Sequence, residues 1–315
     1  MKQNRRGFIK IIGSAAVLSF VPRIIYAATS KESSITRLTI LSTNDMHSRI
    51  EPFGVNDKKY ASQGGFAQRT AILKQIRLQE NNVLLLDAGD IFQGTPFYNV
   101  YGGEPELKIM SKIGYDAATI GNHEFDNGLD GLNKALDFAD FPFVNSNYDF
   151  SKTVLAGKIA PYKIIEKGDL RIGIIGVGIK LKGLVSAKSY GATEYLDPVE
   201  KANEYAKLLK EKSCDFIICL SHLGVDYSEN ENQIGDVEFV SKTRNIDYVI
   251  GGHTHTFMDS PLEIKNLDGL IVPVSHSGWG GLRIGRLDVE FDSKKNISRV
   301  PLYTSKKVEN QAKKD

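Results

Sequence analysis

Apolar residues along this chain gather in short unbroken runs. Residues 38–41, 83–86, 116–120, 141–144, 171–177, 216–220, 248–250, 270–274 and 282–291 each read as strands. Most are continuous rather than alternating, which predicts a sheet covered on both faces. Between them the apolar positions fall at helical spacing over 65–79, 104–113, 129–139 and 197–212. The last of these opens on Asp197-Pro198, so Asp197 is the expected N-cap. Strands alternating with helices, without repeats or a low-complexity linker, predict one α/β domain over residues 35–300. A charged tail follows over 301–315, frayed from Ser305.

The polar residues are placed as tellingly as the apolar ones. Asp45-Met46-His47 follows the first run, Gly89-Asp90 the second, and Gly121-Asn122-His123-Glu124-Phe125-Asp126 the third. Ser221-His222 and Gly252-His253-Thr254-His255 close two later runs. In open α/β sheets ligands bind at the carboxyl ends of the strands, so five clusters are expected to converge there. Five of the six histidines lie in them. Taken singly, each has a bland reading: Asp45-x-His47 is usually a turn, and His253-Thr254-His255 a solvated loop. Jointly they supply seven candidate metal ligands: Asp45, His47, Asp90, Asn122, His222, His253 and His255.

Imidazole and carboxylate donors suit zinc, manganese, iron or cobalt. Without cysteine in the set, a structural Cys-type zinc site is excluded. Asp45 and His47 stand two apart and project to one side of an extended segment, as do His253 and His255. Seven donors exceed one four-coordinate ion, whereas two divalent ions sharing a carboxylate use them all. Asp90, alone after Gly89, is the best bridge. Two ions about 3.5–4 Å apart can activate a water and clamp phosphoryl oxygens during in-line displacement. Such chemistry needs an acid for the leaving oxygen. His123 is the remaining histidine of its cluster, and Asp126 can hold its ring protonated. Glu124 is expected to play a local structural role, and His276 to be a satisfied buried histidine. Trp279 and its flanking glycines read as packing and turn chemistry.

Charge changes the picture at the N-terminus. The 315 residues are 41% hydrophobic and 25% charged, an ordinary globular composition. Net charge is +2, but residues 1–28 carry Lys2, Arg5, Arg6, Lys10 and Arg23 and no acid, leaving −3 for the rest. With no basic stripe either, binding to a nucleic acid polymer is not expected. The basic MKQNRRGFIK, the apolar IIGSAAVLSFV and then Ala27-Ala28 follow the order of a secretory signal. Arg5-Arg6 ahead of Gly7-Phe8-Ile9-Lys10 makes it twin-arginine in type. The apolar run falls short of the roughly 20 residues that span a bilayer. Residues 1–28 therefore predict export to the periplasm or cell envelope, with no stable membrane span after cleavage. Bulky Ile25 and Tyr26 leave an uncleaved anchor as the alternative. Cys214 and Cys219, five residues apart on one expected strand, lie about 16 Å from each other. That is too far for a disulfide, so they are expected to be buried free thiols on opposite faces.

The motifs STNDMHSRI, DAGDIFQGTPFYNVYGG, IGYDAATIGNHEFDNGLDGL, CLSHLG and GGHTH resemble those of the calcineurin-like metallophosphoesterases, in particular the 5'-nucleotidase and UDP-sugar hydrolase branch. The resemblance runs from about residue 38 to 291. It implies a four-layer α/β/β/α sandwich with a dinuclear site at the strand C-terminal ends. By motif, Asp45, His47, Asp90 and His255 hold one ion, and Asp90, Asn122, His222 and His253 the other. His123 and Asp126 match the family's transition-state-stabilising dyad. Many exported relatives have Gln where His255 stands.

The function implied is an exported two-metal phosphoric monoester hydrolase of the 5'-nucleotidase kind, acting on a small nucleotide or another phosphoester. Alternatives with related chemistry are 2',3'-cyclic nucleotide phosphodiesterase, UDP-sugar hydrolase and a thiosulfohydrolase-like enzyme. A non-catalytic binding subunit would show lost ligands, and none is lost. A metal-dependent oxidoreductase is disfavoured, because Asn122 is a weak ligand for redox iron and no G-x-G-x-x-G loop stands in a strand–helix setting. Relatives of this type usually continue into a second domain that reads the base. Since this chain ends at Asp315, a separately encoded substrate-binding domain is expected as a partner, with a stand-alone phosphoesterase as the alternative. Substrate-binding residues are not identifiable.

Overall fold

In the computed structural model, residues 35–227 and 233–309 are described. The expected signal over 1–28 lies outside them, as does the end of the tail. In chain order the elements begin with β1 (Thr36–Thr43), α1 (Phe66–Gln79), β2 (Val83–Asp87), α2 (Pro96–Tyr101), α3 (Glu104–Ile113) and β3 (Ala117–Ala118). A single 3₁₀ turn, His123–Phe125, leads to α4 (Gly128–Leu136), β4 (Tyr148–Asp149), β5 (Tyr162–Lys167), β6 (Leu170–Gly178), α5 (Ala187–Tyr190) and β7 (Glu194–Tyr195). Then come α6 (Pro198–Glu211), β8 (Phe216–His222), α7 (Asp236–Ser241), β9 (Tyr248–Gly251), β10 (Leu262–Lys265), β11 (Ile271–His276), β12 (Arg283–Phe291) and β13 (Leu302–Lys307).

The apolar runs build two sheets, not one. The first has the order β13-β12-β1-β2-β3 and the second β10-β11-β9-β8-β6-β5, with β4-β7 a separate pair. Central neighbours are parallel, β1 with β2 and β6 with β8 with β9, while the outer strands β12, β13, β5 and β10 join antiparallel. Leu38, Ile40, Leu84 and Leu86 of the first sheet meet Ile172, Ile174, Ile218 and Ile250 of the second in one core cluster. Leu41 and Leu85 face the other way, against Ile72, Leu73, Leu107 and Met110 of α1 and α3. On the far side Ile175, Ile217 and Val249 pack under Ala202, Ala206 and Leu209 of α6.

Successive strand residues thus serve different layers, the two-residue period of a strand, and the fold is an α/β/β/α sandwich. Each fully buried Leu or Ile contributes about 1.5–3 kcal/mol. At Gly173 an added Cβ would come within 2.8 Å of Leu209, so the glycine lets α6 lie directly on β6. Asp197 caps α6 as expected, its side chain accepting the N–H of Glu200 at 2.8 Å.

Several expectations change. The third strand is only Ala117–Ala118, and residues 141–144 form isolated bridges with Ala118 and Ala160 instead of a strand. The tail begins as β13, paired with Arg283–Asp288 of β12, and Val308 beyond it is fully buried. Cys214 precedes β8, in the turn after α6, with its N–H on Leu209 O at 3.0 Å. Both cysteines are free and buried, but they share the cluster beneath α6 and do not occupy opposite faces. The chain turns at Ser213 (φ 59°) before the strand starts, so the strand count from Cys214 does not apply.

Candidate metal centre

The loops after β1 and β2 run side by side. Asp45 N–H donates to Gly89 O at 2.9 Å, His47 N–H to Asp90 O at 3.0 Å and Ser48 N–H to Ile91 O at 2.8 Å. These bonds hold backbone that is locally strained. Asp45, His47, Asp90, His253 and His255 all have positive φ, between 48° and 77°. Left-handed backbone is uncommon outside glycine, costs on the order of 1–3 kcal/mol per residue and concentrates at functional sites. Five of the seven candidate ligands are held this way, and none of the five is glycine.

The strain brings donor atoms together. Asp45, His47 and His255 form one group, Asp90, His222 and His253 a second, and His47, Asp90 and His123 a third, with ligand atoms in each within 4.8 Å of one another. Nε2 of His47 and Nε2 of His255 stand 2.8 Å apart. Oδ1 of Asp45 is 3.3 Å from the His255 nitrogen and 3.8 Å from that of His47. In the second group Nε2 of His222 lies 3.0 Å from Oδ2 of Asp90. Asn122 joins through Oδ1, 2.8 Å from Nδ1 of His253. The structure therefore brings all seven candidates to one place, with Asp90 between the groups.

Electrostatics follow from burial and these neighbours. Burial lowers the pKa of His47. Burial, together with the nearby His222, lowers that of His253 to about 4. Both rings are neutral at pH 7, with lone pairs to offer. Burial opposes charge on both Asp90 and His222, yet each overrides it for the other, depressing the carboxyl and raising the imidazole. His123 behaves differently. Its Nδ1 is 2.8 Å from Oδ2 of Asp126, and that hydrogen bond, against partial burial, pushes its pKa up to about 9.

The donor set fits a cation. His222 is fully buried, its Nδ1 bonds Ala88 O at 2.7 Å, and its Nε2 points at the Asp90 carboxylate, 3.0 Å away. A ring N–H on a backbone carbonyl is the usual way a ligating histidine is oriented, leaving the other nitrogen for metal. Glycines keep the space open: an added Cβ on Gly121 would lie 2.3 Å from Oδ1 of Asp90 and 2.8 Å from Nε2 of His222, and one on Gly252 2.9 Å from Oδ2 of Asp45. Converging imidazoles, carboxylates and an amide oxygen suit divalent zinc, manganese, iron or cobalt.

Two supports exceed what single residues signalled. Glu124 has a buried carboxylate that accepts N–H groups from Asp90 (2.9 Å), Ile91 (2.8 Å) and Gly121 (2.6 Å), tying together the loops after β2 and β3. Burial and the neighbouring Asp90 push its pKa up to about 7 against the pull of those amides. Beneath the second group, Ser221 Oγ donates to Asp236 Oδ1 at 2.5 Å, and Asp236 Oδ2 lies 2.7 Å from Nε2 of His276. His276 is buried, as expected, but its partner Asp236, at the start of α7, carried no sequence signal.

Residues 38–257 match the family described as calcineurin-like phosphoesterase. A snake venom 5'-nucleotidase from Gloydius brevicauda is 36% identical over 291 residues, which cover 86% of this chain and 48% of that protein. The crystal structure of a 5'-nucleotidase precursor from Thermus thermophilus superposes with a TM-score of 0.77 at 32% identity, covering 86% of this chain and 54% of that one. That of the calcineurin-like phosphoesterase YfkN from Bacillus subtilis gives 0.74 at 25% identity, covering 87% and 92%. The chain spans about half the length of the curated relatives it matches, at 48%.

Proposed function

The chain belongs to the calcineurin-like phosphoesterase family, and on that premise we propose that it is a two-metal phosphoric monoester hydrolase acting on nucleoside 5'-phosphates. The observation that carries the reading is the convergence of three donor groups through shared His47 and Asp90. We assign Asp45, His47, Asp90 and His255 to one ion, and Asp90, Asn122, His222 and His253 to the other. Two divalent ions held there supply Lewis acidity toward the phosphoryl oxygens and a lowered pKa for water.

The protein's own part is positioning and proton control. Asp126 engages Nδ1 of His123, so the opposite nitrogen carries its proton toward the site. With its pKa raised to about 9, His123 is charged at pH 7. Its ring lies 5.2 Å from that of His47, at the edge of the donor groups. There it stabilises charge on the phosphoryl oxygens and donates to the departing alcohol. The elements from β1 to β13 form the catalytic domain in this reading, and the 5'-nucleotidase relatives supply the substrate class.

We also propose export through the twin-arginine segment to the periplasm or cell envelope. Among the described residues no helix is long and apolar enough to cross a membrane. Replacing Arg5-Arg6 with two lysines should leave the precursor in the cytoplasm.

The deciding assay sets nucleoside 5'-monophosphates beside 2',3'-cyclic nucleotides and UDP-sugars, each with added manganese, zinc or cobalt. Fastest turnover of the 5'-monophosphates supports the assignment. Protein that carries two ions and hydrolyses none of the panel overturns it.

A further inference from the structure

Trp279 is the sole tryptophan of the chain, and it sits in the turn 277–281 between β11 and β12. Its ring stacks on the imidazole of His255, with centroids 5.7 Å apart and planes 12° from parallel. Phe53 and Tyr60 approach the same indole nearly at right angles, at 5.5 and 6.2 Å, and fix it in turn.

The turn carrying Trp279 grips both loops that supply the first donor group. Gly280 N–H donates to Asp45 O at 2.7 Å, Asn44 Nδ2 to Gly278 O at 2.7 Å and Ser277 N–H to Asn44 Oδ1 at 2.7 Å. On the other side Gly278 N–H donates to Thr256 O at 2.9 Å. Phe257 packs on Gly278 so closely that an added Cβ would lie 2.1 Å from its ring. Gly278, Gly280 and Gly281 all have positive φ, at 82°, 61° and 63°, so the turn is committed to this shape.

The histidines of the site are oriented in different ways. The Nδ1 atoms of His222 and His123 face Ala88 O and Asp126 Oδ2. Among the described residues Nδ1 of His255 has no such partner, and the side chain is 41% exposed. Two ring contacts remain to orient it, the edge of His47 at 4.8 Å and the parallel face of the indole.

We propose that Trp279 is a positioning residue that fixes the His255 imidazole, while its turn sets the spacing of His255 from Asp45. His255 is then oriented by an aromatic stack where His222 is oriented by a hydrogen bond. This rests on the reading of His255 as a ligand. Partners that orient a ligating histidine typically change metal affinity about 10–100-fold.

The test strips the protein with a chelator, then titrates zinc while following binding calorimetrically and through the single indole's emission. Wild-type protein should bind two ions, and only the one that engages His255 should alter the emission. Trp279→Leu should lose affinity about 10–100-fold for that ion and keep the other. Trp279→Phe, which retains a stacking face, should restore wild-type binding. Unchanged affinity for both ions in Trp279→Leu overturns the proposal. Should that variant not fold, emission of the wild type that stays constant through complete loading overturns it instead. Wild-type protein that binds no ion defeats the metal assignment itself, a separate failure.

Discussion

Oε2 of Glu124 accepts the backbone N–H of Asp90 at 2.9 Å. The same carboxyl group takes the amides of Ile91 and Gly121, so one buried side chain holds two loops of the candidate site. In Glu124→Gln an –NH₂ group faces those donors, and part of the strap becomes repulsive. Each hydrogen bond to a charged group is worth about 1.5–3 kcal/mol. The variant should therefore lose on the order of 3 kcal/mol in urea unfolding, with reduced metal content. A wild-type midpoint would show that the carboxylate does not organise the loops.

The pairing of His123 with Asp126 sets a pH dependence. The folded pKa of His123 is raised to about 9 from an ordinary 6.5. The stabilisation it brings is complete below the lower value and is lost as pH rises through the upper one. In Asp126→Asn the hydrogen bond to a carboxylate is gone. The alkaline fall in kcat should move to lower pH relative to wild type loaded with the same metal, and the His123 ring resonances should titrate earlier in NMR. Coincident profiles for the two proteins would refute the dyad.

Removing the shared carboxylate should be the most damaging change at the centre. Asp90→Ala is expected to cut hydrolysis of an activated aryl phosphate by orders of magnitude and to lower the bound metal, read by elemental analysis. His123→Ala should cause a comparable loss of rate with metal content kept. Chelator treatment should abolish activity in the wild type, and manganese, zinc or cobalt should restore it. Wild-type rates in both variants would remove these residues from the reaction.

Gly121 offers a purely steric test. An alanine methyl would lie 2.3 Å from Oδ1 of Asp90 and 2.7 Å from its backbone nitrogen, whereas one on Gly54 meets nothing within 4 Å. Overpacking of this kind typically costs about 1–3 kcal/mol. Gly121→Ala should show that loss, together with weakened metal binding, while Gly54→Ala unfolds within about 0.5 kcal/mol of wild type. Equal stabilities would mean that the space at Gly121 is not needed.

Much of this arrangement was legible because both signals are local. A buried parallel strand reads as an unbroken apolar run, and a run that ends in Asp or His announces its own C-terminal end. Five such ends could be found without knowing how the strands pair. Partnership across sequence could not. The residues alone suggested a single covered sheet, and the two-sheet sandwich came only from the family resemblance. Edge strands such as β5 (Tyr162–Lys167) mix exposed and half-buried positions and lack a clean period. Asp236 meets Ser221 and His276 across 15 and 40 residues, and Trp279 meets His255 across a turn that read as packing. These relationships lie in the tertiary fold, where a one-dimensional pattern is blind.

Strand β1 carries Asp45 and His47 at its exit, yet its neighbour on one side is β12, paired from Thr36↔Phe291 to Ser42↔Gly285. That pairing joins the start of the described chain to residues some 250 positions later. During synthesis the first two candidate ligands emerge early, but the strand that carries them cannot pair with β12 until about residue 291 has left the ribosome. Contacts of such long sequence separation form late and slowly. A nascent chain is therefore expected to stay metal-free and inactive until β12 is made, and truncation ahead of β12 should yield no partially active fragment. Assembly order would then separate translation of the candidate ligands from completion of the centre.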